Sequence, residues 1–309
     1  MNSPRRGLVF GLAAYGLWGS FPLYFPLLEP ASSLEILACR VVFSVVVVAL
    51  LLRGLGRLGA VRRLDRTALT RLALAGGLIA VNWGVYIWAV NHRHVVEASL
   101  GYFVNPLVTV GLGVVVLHER LRRVQWLALA VGACAVLVLT ADSGRPPWIA
   151  LVLAASFGSY SLLKKRVGVG AAEGLLVESS VLAVPVLVVL VVLAGQGTLT
   201  LGHRGAAHDA LLASAGLVTA VPLLFFAGAA SRLPLSTLGL LQYLTPVLQL
   251  AVGVGVRHEP LPPARLAGFA LVWVALLVLT IDALRHRADA RAPQVVHEPV
   301  TGDLVSATR

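Results

Sequence analysis

GYFVNPLVTVGLGVVVLHE, residues 101–119, is an apolar run interrupted by Asn105-Pro106 and ended by His118-Glu119. The layout returns in LQYLTPVLQLAVGVGVRHE at 241–259, with Thr245-Pro246 and His258-Glu259 in the matching places. Shifting 101–142 by 140 residues lays it without a gap on 241–282, so that Pro106 meets Pro246, Gly113 meets Gly253 and LVLTAD meets LVLTID. The same offset sets Ala80-Val81 on Ala220-Val221. The chain divides into two copies, 1–142 and 143–284, followed by a polar tail at 285–309.

What the copies are made of decides where they live. The chain is 58% hydrophobic and only 13% charged, with mean hydropathy +0.87, far too little charge to cover a soluble protein of 309 residues. A helix needs about 20 mostly apolar residues to cross about 30 Å of hydrocarbon. Stretches at 7–25, 34–53, 68–90, 95–117, 122–140, 147–163, 175–194, 209–230, 235–256 and 264–284 approach or meet that length. Each copy holds five of them. A five-span unit ends on the side opposite to where it began, so its copy enters the membrane upside down. The expected fold is an all-α integral membrane protein with ten transmembrane helices in two inverted five-helix repeats.

Charge placement gives the orientation, because cytoplasmic loops carry an excess of Lys and Arg. With the N-terminus inside, 19 of the 25 basic residues fall in cytoplasmic segments and five on the other face, Arg40 lying within a span. Both termini are therefore expected in the cytoplasm, in the cell inner membrane. The charge of +11 and pI near 10.8 do not point to nucleic acid, since the cations are spread over short loops with no aromatic-rich groove. Membrane lipid is the partner they suit, above all at LLRGLGRLGAVRRLDR, 51–66. No cleavable leader is expected, because FPLYFPLLEP stands where a small-residue cleavage site would be wanted.

Catalytic, cofactor and metal motifs are not evident. His118-Glu119 lacks the second histidine of a zinc-protease helix, and Cys39 and Cys134 lie within apolar spans where thiols pack as small hydrophobes. The polar groups inside the spans carry the functional interest. Arg40 is a charge six residues into the second span, with Glu97 on the same side as its expected ion partner; Glu35 is rotated about 140° away. Glu97 and Glu178 are the carboxylates on which proton coupling could act. Asn82 and Tyr86 share a face of the third span with Trp83 nearby, and Gln242, Tyr243 and Gln249 are their counterparts on the ninth. Asn105-Pro106 and Thr245-Pro246 mark two inverted points near the midplane where proline removes a helical donor and frees a carbonyl.

GLAAYGLWGSFPLYF, LEILACRVVFS, NWGVYIWAVNHRHVVEASLGYFVNPL, LGVVVLHERL and LPLSTLGLLQYLTPVLQ together resemble the RarD branch of the EamA-type drug and metabolite transporters, over 7–284. The resemblance implies two EamA repeats and a secondary carrier moving a small organic solute by alternating access. The repeated Asn/Thr-Pro and His-Glu pattern is matched in both copies, except that Arg120 becomes Pro260 in the second. A channel or a non-transporting scaffold remains the alternative at this point. Solute, direction, coupling ion and oligomeric state are not written in these residues.

Overall fold

The computed structural model describes residues 4–117, 121–144, 146–230, 232–233 and 241–289, and helices dominate them. In chain order they are α1 Pro4–Gly19, α2 Phe21–Tyr24 running into a 3-10 turn Phe25–Leu28, α3 Ser33–Gly54, α4 Leu58–Arg62, α5 Arg66–Asn91, α6 Val95–Leu117 and α7 Arg123–Ser143. The second half supplies α8 Trp148–Val167, α9 Ala171–Gly195, α10 Ala206–Ala230, α11 Leu244–Gly255 and α12 Pro263–Asp289.

Seven of these, α3, α5, α6, α7, α9, α10 and α12, are long and apolar enough to cross a bilayer unaided. The first expected span is instead broken, Arg5–Gly19 and Phe21–Leu28 meeting at 43°. Pro22 and Pro26 stand in the first turns of the pieces beyond Gly19, where missing N–H groups are tolerated but a continuous helix is not. Two further segments, Trp148–Lys164 and Leu244–Gly255, are apolar but short. Against the ten expected spans, the described residues show seven helices long enough to cross, or eight if the bent pair is one span, and two apolar helices that fall short of that length. Residues 118–120 and 234–240, which carry His118, Glu119 and the start of the ninth span, lie outside the described residues.

Local chemistry sets the helix ends. The Ser32 hydroxyl accepts from Glu35 N–H at 3.2 Å to start α3, and Asp65 accepts from Ala68 N–H at 2.7 Å to start α5. Gly144 at φ 67° and Gly168 at φ 66° stop α7 and α8 in the left-handed region that a side chain disfavours.

The side chains are arranged inside out relative to a soluble bundle. Leu137, Val184 and Val191 are 66, 69 and 70% exposed, while Glu35, Arg40, Asn82, Glu178 and Gln249 are buried. Apolar faces this extensive belong against lipid. The chain is therefore a multi-pass membrane protein.

The most extensive packing joins helices across the 142/143 boundary: α6 with α8 and α11, α7 with α12, α3 with α9 and α10, α5 with α8 and α9, and α1 with α10 and α11. Small residues allow the close approaches. A Cβ on Gly76 of α5 would stand 3.2 Å from the Glu178 carbonyl of α9, and one on Gly216 of α10 would stand 2.5 Å from the Phe43 carbonyl of α3. The largest apolar cluster gathers at one end of the bundle, where Phe21, Phe25, Leu28, Ile36, Tyr86, Ile87, Val95, Ile149, Leu153 and Leu212 close over one another. This is the end that the charge pattern assigns to the outside.

Candidate functional site

Arg40 lies two turns into α3, roughly 10 Å along the helix from Ser33, beneath that apolar seal. It is 4% exposed. Its Nε donates to Thr219 Oγ1 of α10 at 2.9 Å, and that hydroxyl in turn donates to the Ala215 carbonyl at 2.9 Å, which fixes its lone pairs toward the guanidinium. The guanidinium carbon sits 4.1 Å from the centre of the Trp83 ring and 5.4 and 5.8 Å from those of Phe21 and Phe25. Ring faces carry negative quadrupole density and so favour the cation. The hydroxyls of Tyr24, Tyr86 and Tyr102 lie within electrostatic range of it. Its Nη1 has no hydrogen-bond partner among the described residues.

The expected ion partner is elsewhere. Glu97 accepts from the Ile149 N–H at 3.2 Å, holding the start of α8, and among the described residues Arg40 forms no ion pair. The physical reason is that α8 begins beside Glu97 with free N–H groups and a positive dipole end, which draw a carboxylate as a cation does. Glu35 likewise turns to backbone, accepting from Thr200 N–H and Leu201 N–H at 2.8 Å each and from the Thr200 hydroxyl at 2.9 Å. Arg40 is left facing aromatics and hydroxyls.

Of the other sequence candidates, Tyr86 and Gln249 join this cluster. Tyr86 packs edge-on against Phe25 and Tyr102, with ring centres 6.0 and 5.6 Å apart. Its hydroxyl lies near Gln249 without completing a hydrogen bond, and the Gln249 Oε1 is also unpartnered, while Gln249 Nε2 donates to the Trp18 carbonyl at 3.3 Å. Asn82 sits one shell further out, donating to the Leu153 carbonyl and Ser156 hydroxyl of α8 at 3.0 and 3.1 Å and accepting from Tyr102 Oη at 3.3 Å. Tyr243 is not brought to the cluster; it packs with the apolar residues of α6, α7 and α12. Gln242 lies in the turn before α11, its carbonyl accepting from Thr245 N–H at 3.3 Å.

The two proline points differ. Asn105 is buried where α6 meets α8, its Oδ1 unpartnered and 3.5 Å from where a Cβ on Gly158 would stand. Thr245 instead spends its hydroxyl on the Tyr15 carbonyl of α1 at 2.9 Å. Pro106 lies inside the unbroken α6, so the Tyr102 carbonyl loses its helical donor, whereas Pro246 occupies the first turn of α11, where no such bond exists to lose.

Glu178 is 1% exposed near the far end of the bundle, paired with Lys164 Nζ at 2.7 Å and accepting from Tyr160 Oη at 3.2 Å. Rings connect it to Arg40: Tyr86, Tyr102, Phe157 and Tyr160 follow one another at 5.6, 6.3 and 5.9 Å. At the sealed end, Glu259 accepts from Val95 and Val96 N–H at 2.8 Å each, capping α6. His258 is exposed and takes φ 52° in the turn that aims Glu259 back at that helix. The cluster around Arg40 thus includes Phe21, Tyr24, Phe25, Tyr102 and Thr219, which sequence reasoning missed. Aromatic rings and a threonine in apolar spans look like ordinary packing until a charge is placed among them.

A multi-pass helical bundle that turns apolar faces to lipid and gathers a cation, aromatics and hydroxyls inside is built as a membrane transporter. Comparison places it more narrowly, and the chain belongs to the RarD branch of the EamA-like transporter family. The family profile matches residues 5–141. A protein named RarD from Streptomyces exfoliatus is 53% identical, covering 96% of this chain and 97% of its own. An uncharacterized transporter of Pseudomonas aeruginosa is 44% identical, covering 91 and 95%. A solved crystal structure shares the fold, with a TM-score of 0.58 and 19% identity over 92% of this chain and 99% of that one.

Proposed function

We propose that this transporter is a secondary carrier moving a small organic solute across the cell inner membrane by alternating access. Its two inverted halves, 1–142 and 143–284, exchange conformations, with both termini cytoplasmic. The observation that carries the reading is an exchange rule in the packing. Replacing each helix by its counterpart 140 residues away turns α1 with α10 into α8 with α5, α6 with α8 into α11 with α1, and α3 with α10 into α9 with α5. The pairs α3 with α9, α6 with α11 and α7 with α12 map onto themselves. Gly76 and Gly216, also 140 apart, make the close approaches at two exchange-related interfaces. Two like halves around such an axis support alternation between two mirrored openings.

In this reading the solute meets Arg40, Tyr86, Tyr102 and Gln249, with Asn82 and Asn105 along the α8 wall; the Pro106 point loosens α6 beside them. Glu178, held by Lys164 and Tyr160, carries the coupled proton. Glu97, His258 and Glu259 serve as helix ends, and no metal or cofactor takes part.

Cysteine labelling from the two sides tests it in a background without Cys39 and Cys134. Arg63→Cys and His203→Cys, exposed positions 140 apart, should label from opposite faces. Asn105→Cys should become reachable from each face in turn as conditions change. A channel would leave Asn105→Cys open to both faces at once, and a scaffold would fix it to one.

A further inference from the structure

The polar groups around Arg40 are unbalanced in a way that specifies a ligand. A guanidinium taken out of water without a counter-ion costs several kcal/mol, and here the carboxylates that could neutralise it are committed to backbone amides or to Lys164. Glu35 has one unpartnered oxygen, but its carboxylate is held on Thr200 and Leu201, about 140° around α3 from Arg40. On the Arg40 side the unused groups are Nη1 of the arginine, the Tyr86 hydroxyl and, beside that hydroxyl, the acceptor Oε1 of Gln249, whose Nε2 is spent on the Trp18 carbonyl. Two of these three are hydrogen-bond donors suited to an oxyanion, and the planar fork of arginine matches the two oxygens of a carboxylate. The walls are the rings of Phe21, Phe25, Trp83 and Tyr102, which offer flat apolar surface. Among the described residues no carboxylate is paired with or hydrogen-bonded to this cluster to receive an ammonium group.

We propose that the Arg40 cluster binds an organic monoanion, a carboxylate on a flat apolar body without an ammonium group. Arg40 and Tyr86 hold the oxygens, and the rings hold the body. This rests on the carrier reading above and names its substrate class.

The test uses the full-length protein in nanodiscs and four matched probes followed by tryptophan fluorescence: 3-phenylpropionate, phenylalanine, phenethylamine and 3-phenylpropanamide. 3-Phenylpropionate should bind saturably, and each of the other three should bind at least about tenfold more weakly: phenethylamine and the amide lack the charge-assisted hydrogen bond of a carboxylate to the guanidinium, and phenylalanine must bury an ammonium beside that cation. Arg40→Gln should bring 3-phenylpropionate down to the level of the amide, and Arg40→Lys should retain part of the preference. The ranking on the unmodified protein stands even if Arg40→Gln fails to fold. Phenylalanine or phenethylamine binding as tightly as 3-phenylpropionate, no binding by any of the four, or an unchanged preference in folded Arg40→Gln would each overturn the assignment. Asn105→Cys accessibility measured alongside separates the two levels. Exchange of sides with the wrong ligand ranking sinks the substrate class alone, whereas absence of exchange sinks the carrier reading.

Discussion

Glu259 takes the N–H groups of Val95 and Val96 with its two oxygens, so one side chain satisfies two donors that the start of α6 cannot pair internally. Glu259→Ala should leave both amides buried without partners and lower stability by about 3 kcal/mol, given roughly 1.5–3 kcal/mol for a hydrogen bond to a charged group. Glu259→Gln keeps one acceptor and should fall between. Thermal unfolding in detergent checks the order, and equal midpoints for all three proteins would remove the capping role. Glu178 belongs to the same scale but to the other end. If it carries the coupled proton, accessibility of Asn105→Cys should depend on pH in the parent and lose that dependence when Glu178→Gln is added. Arg40 and Glu178 were visible as charges in apolar spans, but the partner of Arg40 was not: Glu97, the carboxylate expected to pair with it, turns to the Ile149 N–H.

Within single helices, the proline positions separate what the repeat makes look equal. Pro106→Ala restores a donor to the Tyr102 carbonyl in the middle of α6, so it should stiffen that helix and slow the exchange of sides at a neighbouring cysteine several-fold. Pro246→Ala restores nothing in the first turn of α11 and should leave the rate near that of the parent. Equal slowing by both would show that the repeat, and not the helix position, sets their role. The glycine pair behaves in the same graded way. A methyl on Gly216 would stand 2.5 Å from a backbone oxygen, against 3.2 Å at Gly76. Gly216→Ala should therefore destabilise by about 1–3 kcal/mol through overpacking, and more than Gly76→Ala, as read from unfolding midpoints.

For the whole molecule, the helices before and after the 142/143 boundary do not form separate packing units. The extensive interfaces join α1, α3, α5, α6 and α7 to helices of the other half, and contact within a half is comparatively thin. Residues 1–142 made alone should give no protease-resistant, monodisperse protein. Co-expression with 143–309 should restore one that elutes with the intact chain. A stable isolated half would contradict the interdigitated packing and with it the exchange rule on which alternating access is argued.

What the sequence determined by itself is the solvent, the helical multi-pass class and the likeness of 101–142 to 241–282. Each is a sum over many residues, as with mean hydropathy or the 140-residue offset, and survives a few misread positions. The tertiary structure decided the assignments that hang on one vector or one partner. It broke the first span at the prolines beyond Gly19, sent Glu97 and Glu259 to helix N-termini, and separated Tyr243 from Tyr86. It also gathered Phe21, Phe25, Trp83 and Thr219 around Arg40. Spacing along one helix says which residues share its face, but which foreign helix meets that face is settled by packing residues more than a hundred positions apart, as Arg40 and Thr219 are. A buried group takes whichever partner that packing places within hydrogen-bond reach.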